Sequence, residues 1–174
     1  MPELDEKVAI VTGAGRLRGV GRATAVHLAR LGADVVVIGT GRNPQTFPPD
    51  EKEVGWKDVE STAAQVRAQG GRALSLTVDV ANCEQIQVMV DRTLKEFGRI
   101  DILVNNAAFP RGPDRVPFIE LDLDIFQRVQ EVKVTGTYLC ASAVAKIMIE
   151  QGQGGKIINV ASVAGKHASP NMLA

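Results

Sequence analysis

A doubly wound parallel α/β sheet is the fold class this sequence predicts, and two observations predict it. Five short apolar runs alternate with stretches of helical periodicity, and the first run breaks into a glycine-rich turn before the first helix. Strands that are apolar at every position suit a parallel sheet covered on both faces, because a sheet with one wet face would alternate polar and apolar residues. At 174 residues and 45% hydrophobic content the chain can bury one sizeable core, so a single domain is expected.

The first strand is Val8 to Val11, ended by Thr12. After the glycine turn, Ala23, Val26 or His27, and Arg30 or Leu31 keep helical spacing, with small Ala25 and Ala29 letting the helix sit close to a sheet. His27 reads as a helix-face residue. Gly32 ends this helix and Val35 to Ile38 is the second strand. Gly39 to Asp58 is rich in glycine, proline and charge and reads as an irregular insertion. A helix from about Val59 to Gln69 is closed by Gly70 and Gly71 before the strand Ala73 to Val78. Asn82 with Gln85 forms a capping pair for a helix whose apolar positions are Ile86, Met89, Val90, Leu94 and Phe97, and Gly98 stops it. The strand Ile100 to Val104 follows, then Asn105-Asn106-Ala107-Ala108 and a turn-rich loop from Arg111 to Pro117.

A long helix is expected from about Asp122 to Glu150, with two apolar stripes. Ile125, Val129, Val132, Gly136, Leu139, Ala143 and Ile147 make one; Val134, Tyr138, Ala141, Ala145 and Met148 make the other, nearly opposite. A helix apolar on two faces is buried on two sides, here by its own sheet and by a second subunit in a homodimer or homotetramer. The alternative is a helix covered by its own chain. Ile157 to Ala161 is the fifth strand, and Ser162 to Ala174 reads as loop.

Lysine plus arginine equals aspartate plus glutamate at 20 each, so no overall field draws nucleic acid or an anionic membrane. The two cysteines, Cys83 and Cys140, match no zinc spacing and read as free thiols of a reducing compartment, with no metal site expected. Met1 to Lys7 is acidic and precedes only a short strand, which reads as neither a secretory signal nor a spanning helix; a cytoplasmic protein is expected.

The glycine turn carries chemistry. A strand that feeds a helix through glycines lets bare backbone approach a pyrophosphate, while the helix N-terminus offers free N–H groups and a positive dipole end. Gly13, Gly15, Gly19 and Gly21 stand where that work is done, in the order strand, turn, helix, strand.

Four motifs then resemble the short-chain dehydrogenase/reductase family along the whole chain. Thr12-Gly13 through Gly19-Val20-Gly21 is similar to the TGxxxGxG turn with two extra residues, most simply Leu17 and Arg18. Asp79-Val80 resembles the pair that holds the adenine ring, and Asn105-Asn106-Ala107-Ala108 resembles NNAG with alanine last. Asn159-Val160-Ala161-Ser162 resembles the strand that delivers the catalytic serine. The resemblance implies a Rossmann domain that binds NAD or NADP and moves a hydride between nicotinamide and a carbonyl or alcohol carbon of a small molecule. It implies a cofactor site of Gly13, Gly15, Arg16, Gly19, Val20, Gly21, Asp79, Val80, Asn106 and Ala107, with Ser162 on the substrate oxygen. A plain loop cap is the other reading of Ser162.

Two departures qualify it. Lys133 occupies the family's asparagine position before Gly136, where the residue serves a proton relay through its backbone carbonyl; a lysine reaching a carboxylate or solvent is the equal alternative. The family's Tyr-x-x-x-Lys pair would begin just after Ala174, and Tyr138, the one tyrosine, lies on the long helix instead. The expectation is therefore an incomplete domain with an exposed fifth strand, or, as a second function, a nucleotide-binding regulatory protein or pseudoenzyme. Gly39 stands where NAD sites carry an acid, and Arg16, Arg18, Arg42 and Thr40 lie near in sequence, so NADP is favoured over NAD. The insertion is either a lid on the adenosine end or, as favoured, surface elaboration packed by Phe47 and Trp56. Phe109, Arg111 and Val163 to His167 are expected on the substrate side, with His167 a loop residue.

Overall fold

A computed structural model describes residues 3–110, 112–167 and 171. Five strands form one parallel sheet: β1 Val8–Val11, β2 Asp34–Gly39, β3 Ala73–Thr77, β4 Ile102–Asn105 and β5 Lys156–Asn159, in the order β3-β2-β1-β4-β5. Every neighbouring pair is parallel, with Ile10 opposite Val36 on one side and Leu103 on the other. The strands were expected one or two residues away at some ends, with Ile100 before β4 and Val160 after β5 lying outside the ladder. The chain winds outward from β1 in both directions, so a crevice opens between the C-terminal ends of β1 and β4.

Alternate residues of each strand feed two cores. Ala9, Val11, Val35, Val37 and Val104 pack under α1 Val20–Arg30 and α3 Val59–Arg67. Ile10, Val36, Ile38 and Leu103 pack on the other face under α4 Cys83–Phe97 and the long helix that precedes β5. Full burial of each such side chain contributes about 1.5–3 kcal/mol, which is why solid apolar runs mark the strands so clearly. On α1 the buried stripe is Gly21, Ala25 and Ala29, while Ala23, His27 and Arg30 are exposed. The small residues face the sheet because only they allow so close an approach, and the stripe expected through Ala23 and Arg30 is thereby displaced. The Asn82 side chain caps α4 by accepting from the Gln85 N–H at 3.0 Å.

The insertion is more regular than expected. Pro44–Thr46 makes a 3₁₀ turn capped by Asn43, and Pro49–Glu53 makes a short helix, α2, opened by Pro48 and Pro49. Phe47 and Trp56 are buried, as is the carboxylate-bearing Glu51.

The long helix comprises α5 Leu123–Gln130, a π turn over Glu131–Thr135 and α6 Gly136–Gln151. Its buried line is Val132, Gly136, Cys140, Val144 and Met148, which replaces the expected Leu139, Ala143 and Ile147; those three are half-buried. The π turn adds a residue to one turn and re-phases the stripe. Val134 and Tyr138 on the second stripe are exposed. By length and composition Leu123–Gln151 is apolar enough to cross a membrane, contrary to the reading of no spanning helix, but here its buried line packs on α4 and β4. Burial raises the Cys140 thiol to a pKa of about 12, and both cysteines are free. β5 is exposed throughout and pairs only with β4.

One polar group is built into the base of the sheet. Asp101 is buried and accepts from the Val8 N–H at 2.9 Å and from Arg99 at 2.6 and 2.8 Å. Burial pushes its carboxyl up, but the Arg99 guanidinium, the Val8 N–H and the Lys7 ammonium outweigh burial and hold it below the ordinary carboxylate range. A depressed folded-state pKa contributes stability that is present above the unfolded value and lost as pH falls through the folded one. Asp101→Asn is expected to cost about 2 kcal/mol at neutral pH, with the gap to the parent protein closing below about pH 4. Urea unfolding across that range checks this, and a gap independent of pH would refute it.

Candidate dinucleotide site

The ends of β1 and β4 are tied together before any ligand is considered. Asn106 donates from Nδ2 to the carbonyls of Thr12 at 2.9 Å and Gly13 at 3.0 Å. The Thr12 hydroxyl accepts from the N–H groups of Asn106 and Ala107, both at 3.0 Å, and donates to the Val104 carbonyl at 3.3 Å. Gly13 has φ of +66°, and a Cβ there would sit 2.7 Å from Ala107 Cα, so only glycine lets the two strand ends approach this closely.

A cavity of about 710 Å³ opens above this junction. Gly13, Gly15, Arg16, Gly19 and Val20 form its floor at the N-terminus of α1. Gly19 caps that helix without a side-chain bond, and no acid stands in its first turn, so the N–H groups of the first turn and the positive dipole end could receive an anion. Thr40 and Arg42 line one end, Asp79 and Val80 a wall, and Asn106 and Ala107 the far side. Gly21 is the one expected cofactor residue absent from the wall; it is buried beneath the turn. A second cavity of about 680 Å³ lies at the opposite end of the sheet, where Arg72 and Arg99 are already ion-paired to Asp34 and Asp101 and Arg30 donates to Gln69.

Four side chains behave differently from their expected roles. Arg42 lines the cavity but is already engaged: its guanidinium bonds Glu51 at 2.8 and 3.3 Å, approaches Asp58 at 3.5 Å, donates to the Gly15 carbonyl at 3.1 Å and stacks on Phe47 at 4.5 Å. Arg18 pairs with Asp50 at 2.8 Å, and Arg16, also exposed, is the cation of the turn without an ion pair among the described residues. The Asp79 carboxylate accepts from the Ala81 N–H at 3.0 Å and pairs with Arg128 of α5. Asn106 spends its amide on the junction rather than on the cavity.

Lys133, inside the π turn, is half-buried and pairs with no carboxylate among the described residues. Its ammonium donates to the Val160 carbonyl at 2.5 Å and approaches the Ala107 carbonyl at 3.5 Å, bridging the ends of β4 and β5. Burial pushes its pKa below the ordinary lysine value. Ser162 follows two residues after Val160, is exposed, and accepts from the Gly165 N–H through its own carbonyl at 3.1 Å. Phe109 lines the cavity, Val163–Gly165 forms a 3₁₀ turn, His167 is exposed, and Arg111 lies outside the described residues.

The residues missed in sequence are Glu51, Trp56, Asp58 and Arg128. The Glu51 carboxylate accepts from the Leu17 N–H at 2.9 Å, and Trp56 Nε1 donates to the Gly15 carbonyl at 2.6 Å. For Glu51, Trp56 and Asp58 the one signal was the co-occurrence of an enlarged turn and an insertion, which meet in a single contact surface; Arg128 had none.

The family model for short chain dehydrogenases matches residues 7–174. The chain is 43% identical over 160 residues to the short chain dehydrogenase/reductase astE of Aspergillus oryzae, covering 91% of this chain and 54% of that protein. It is 36% identical over 170 residues to a 3-oxoacyl-[acyl-carrier-protein] reductase of Synechocystis, covering 98% of this chain and 61% of that one. Among solved structures, carveol dehydrogenase from Mycobacterium avium in complex with NAD matches with a TM-score of 0.84 at 30% identity, over 99% of this chain and 60% of that one. An NAD+-bound xylitol dehydrogenase matches with a TM-score of 0.81 at 35% identity, over 98% of this chain and 58% of that chain. The chain thus spans a little over half the length of these relatives, and with the glycine turn, the Asn106 junction and the parallel sheet in their places it belongs to the short chain dehydrogenase family.

Proposed function

We propose that the protein is a nicotinamide-dinucleotide-dependent oxidoreductase that moves a hydride between the nicotinamide and a carbonyl or alcohol carbon of a small molecule. The observation that carries this reading is the cradle at the α1 N-terminus, where a Cβ at Gly13 would strike Ala107 and where bare backbone and unpaired helix N–H groups face one cavity. Gly13, Gly15, Gly19 and the first turn of α1 would hold the pyrophosphate, with Arg16 beside it, and Val80 and Asp79 would flank the adenine. The bound dinucleotide supplies the hydride chemistry, while the protein supplies orientation and proton placement. NAD-bound relatives support the nicotinamide class of cofactor. Between the two dinucleotides, the sequence favours NADP through Arg42, but a guanidinium held by two carboxylates is poorly placed to take a phosphate, which favours NAD. The full-length protein is expected to bind NAD directly and to change the near-ultraviolet absorbance of nicotinamide when offered secondary alcohols or ketones. Binding without any such change across a broad panel would favour a regulatory protein.

In this reading Ser162 hydrogen-bonds the substrate oxygen, and Lys133 is a positioning residue. By tying the Val160 carbonyl to the end of β4, it sets the loop that carries Ser162. Lys133→Met is expected to lower kcat about a hundredfold with an unchanged dinucleotide Kd, as misplacement of a reacting group would. A loss confined to Kd would count against this role.

The partner surface is the open face of the long helix. Val134 and Tyr138 are 60% and 67% exposed on a helix whose other face is docked, which suits a second copy of this chain in a homodimer or homotetramer. Tyr138→Glu together with Val134→Glu is expected to convert the assembly to monomer in light scattering, and an unchanged mass would reject this face. A cytoplasmic setting belongs to the same reading, supported by two thiols that remain unpaired.

A further inference from the structure

Sites that select NAD place a carboxylate on the ribose 2′-hydroxyl from the end of the second strand. Here that strand ends at Gly39, and no acid follows in sequence until Asp50. We propose that Asp58, carried back by the insertion to the end of β2, supplies this carboxylate and selects the dinucleotide with a free 2′-hydroxyl. The inference rests on the dinucleotide reading above and names a residue that performs its selectivity.

Position carries the argument. Asp58 Oδ1 lies 1.5 Å from where a Cβ of Gly15 would be and 3.7 Å from where a Cβ of Gly39 would be. The carboxylate therefore rests against the bare backbone of the glycine turn, beside the strand end where the acid is missing. Asp58, Gly15, Gly39, Thr40 and Arg42 line the same end of the cavity. Asp58 Oδ2 accepts from the Arg42 N–H at 2.8 Å, whereas Oδ1 meets only Arg42 Nη2 at 3.5 Å among the described residues, so lone pairs of Oδ1 are left for another donor.

The support around this group is stiff. Arg42 is held by Glu51, whose carboxylate also accepts from the Leu17 N–H, and Arg18 pairs with Asp50. The two extra residues of the glycine turn thus seat helix α2, and Trp56 Nε1 fastens the same loop to the Gly15 carbonyl. Asp58 itself has φ of +51° and ψ of −129°, a conformation natural to glycine and costly for any other residue. A strained aspartate whose side chain accepts from the Arg42 N–H fits a carboxylate required at that point. A 2′-phosphate there would meet the Asp58 carboxylate, beside an Arg42 guanidinium already engaged by Glu51.

The test is equilibrium binding of NAD, NADP and the 2′-deoxyadenosine analogue of NAD to the full-length protein by calorimetry. Native protein is expected to bind NAD about ten- to a hundredfold more tightly than the deoxy analogue, the range for a hydrogen bond to a charged group, and to discriminate against NADP. Asp58→Asn and Asp58→Gly are expected to lose most of both preferences. Glycine accepts the backbone conformation without strain, and an unchanged Trp56 emission reports that the insertion remains docked. Equal affinity of native protein for NAD and its deoxy analogue, or retention of the preferences in both variants, overturns the assignment while leaving the dinucleotide reading intact. Failure of native protein to bind either dinucleotide overturns both.

Discussion

The two hydrogen bonds from Asn106 Nδ2 to the carbonyls of Thr12 and Gly13 join the C-terminal ends of β1 and β4 at the point where the chain reverses its direction of winding. Carbonyls at a strand end have no ladder partner, and burying them unpaired would cost about 1–3 kcal/mol each. The amide satisfies them, and the Thr12 hydroxyl satisfies the two N–H groups that follow β4. Once the ends are fastened, the glycine turn can rise only toward the α1 N-terminus, and the cavity lies above it. The role of this asparagine is therefore to hold the crevice open at a set width.

A second constraint is stacked on the first. Gly15 offers its carbonyl to both Trp56 and Arg42, and the enlarged part of the turn offers the Leu17 N–H to Glu51. Turn and insertion are thereby hydrogen-bonded into one unit. Arg42 and Glu51 are nearly enclosed, with side-chain exposures of 17% and 2%, and a buried charge is tolerated only when its partners are in place. The favoured reading of the insertion as surface elaboration describes Phe47 and Trp56 correctly as packing groups and misses the ion cluster that they cover.

Legibility in the sequence followed the range of the forces involved. The strands were readable to within a residue or two because burial on two faces leaves an uninterrupted apolar run, and the Asn82 cap because it is local. The floor of the site was readable from the spacing of its glycines. The partners of Arg42 were not legible because proximity in sequence reveals a charge but not its partner: Glu51 is nine residues away and Asp58 sixteen, in a stretch without periodicity. Arg128 was invisible for the same reason, forty-nine residues from the Asp79 carboxylate that it engages.

The long helix shows a different kind of limit. Periodicity arguments assume one period throughout an element, and the π turn at Glu131–Thr135 breaks that assumption with one widened turn. The extra residue moves the buried line onto Cys140, Val144 and Met148, and it leaves Val134 and Tyr138 facing outward. The same widening carries Lys133 to the ends of β4 and β5, where its amine finds two main-chain carbonyls. An ordinary α-helical count would phase this segment with Leu139, Ala143 and Ile147, so the misplaced stripe and the unexpected lysine contacts have a common origin. A helix that docks one face, opens another and delivers a cation to the strand ends does so through a single local change in hydrogen bonding.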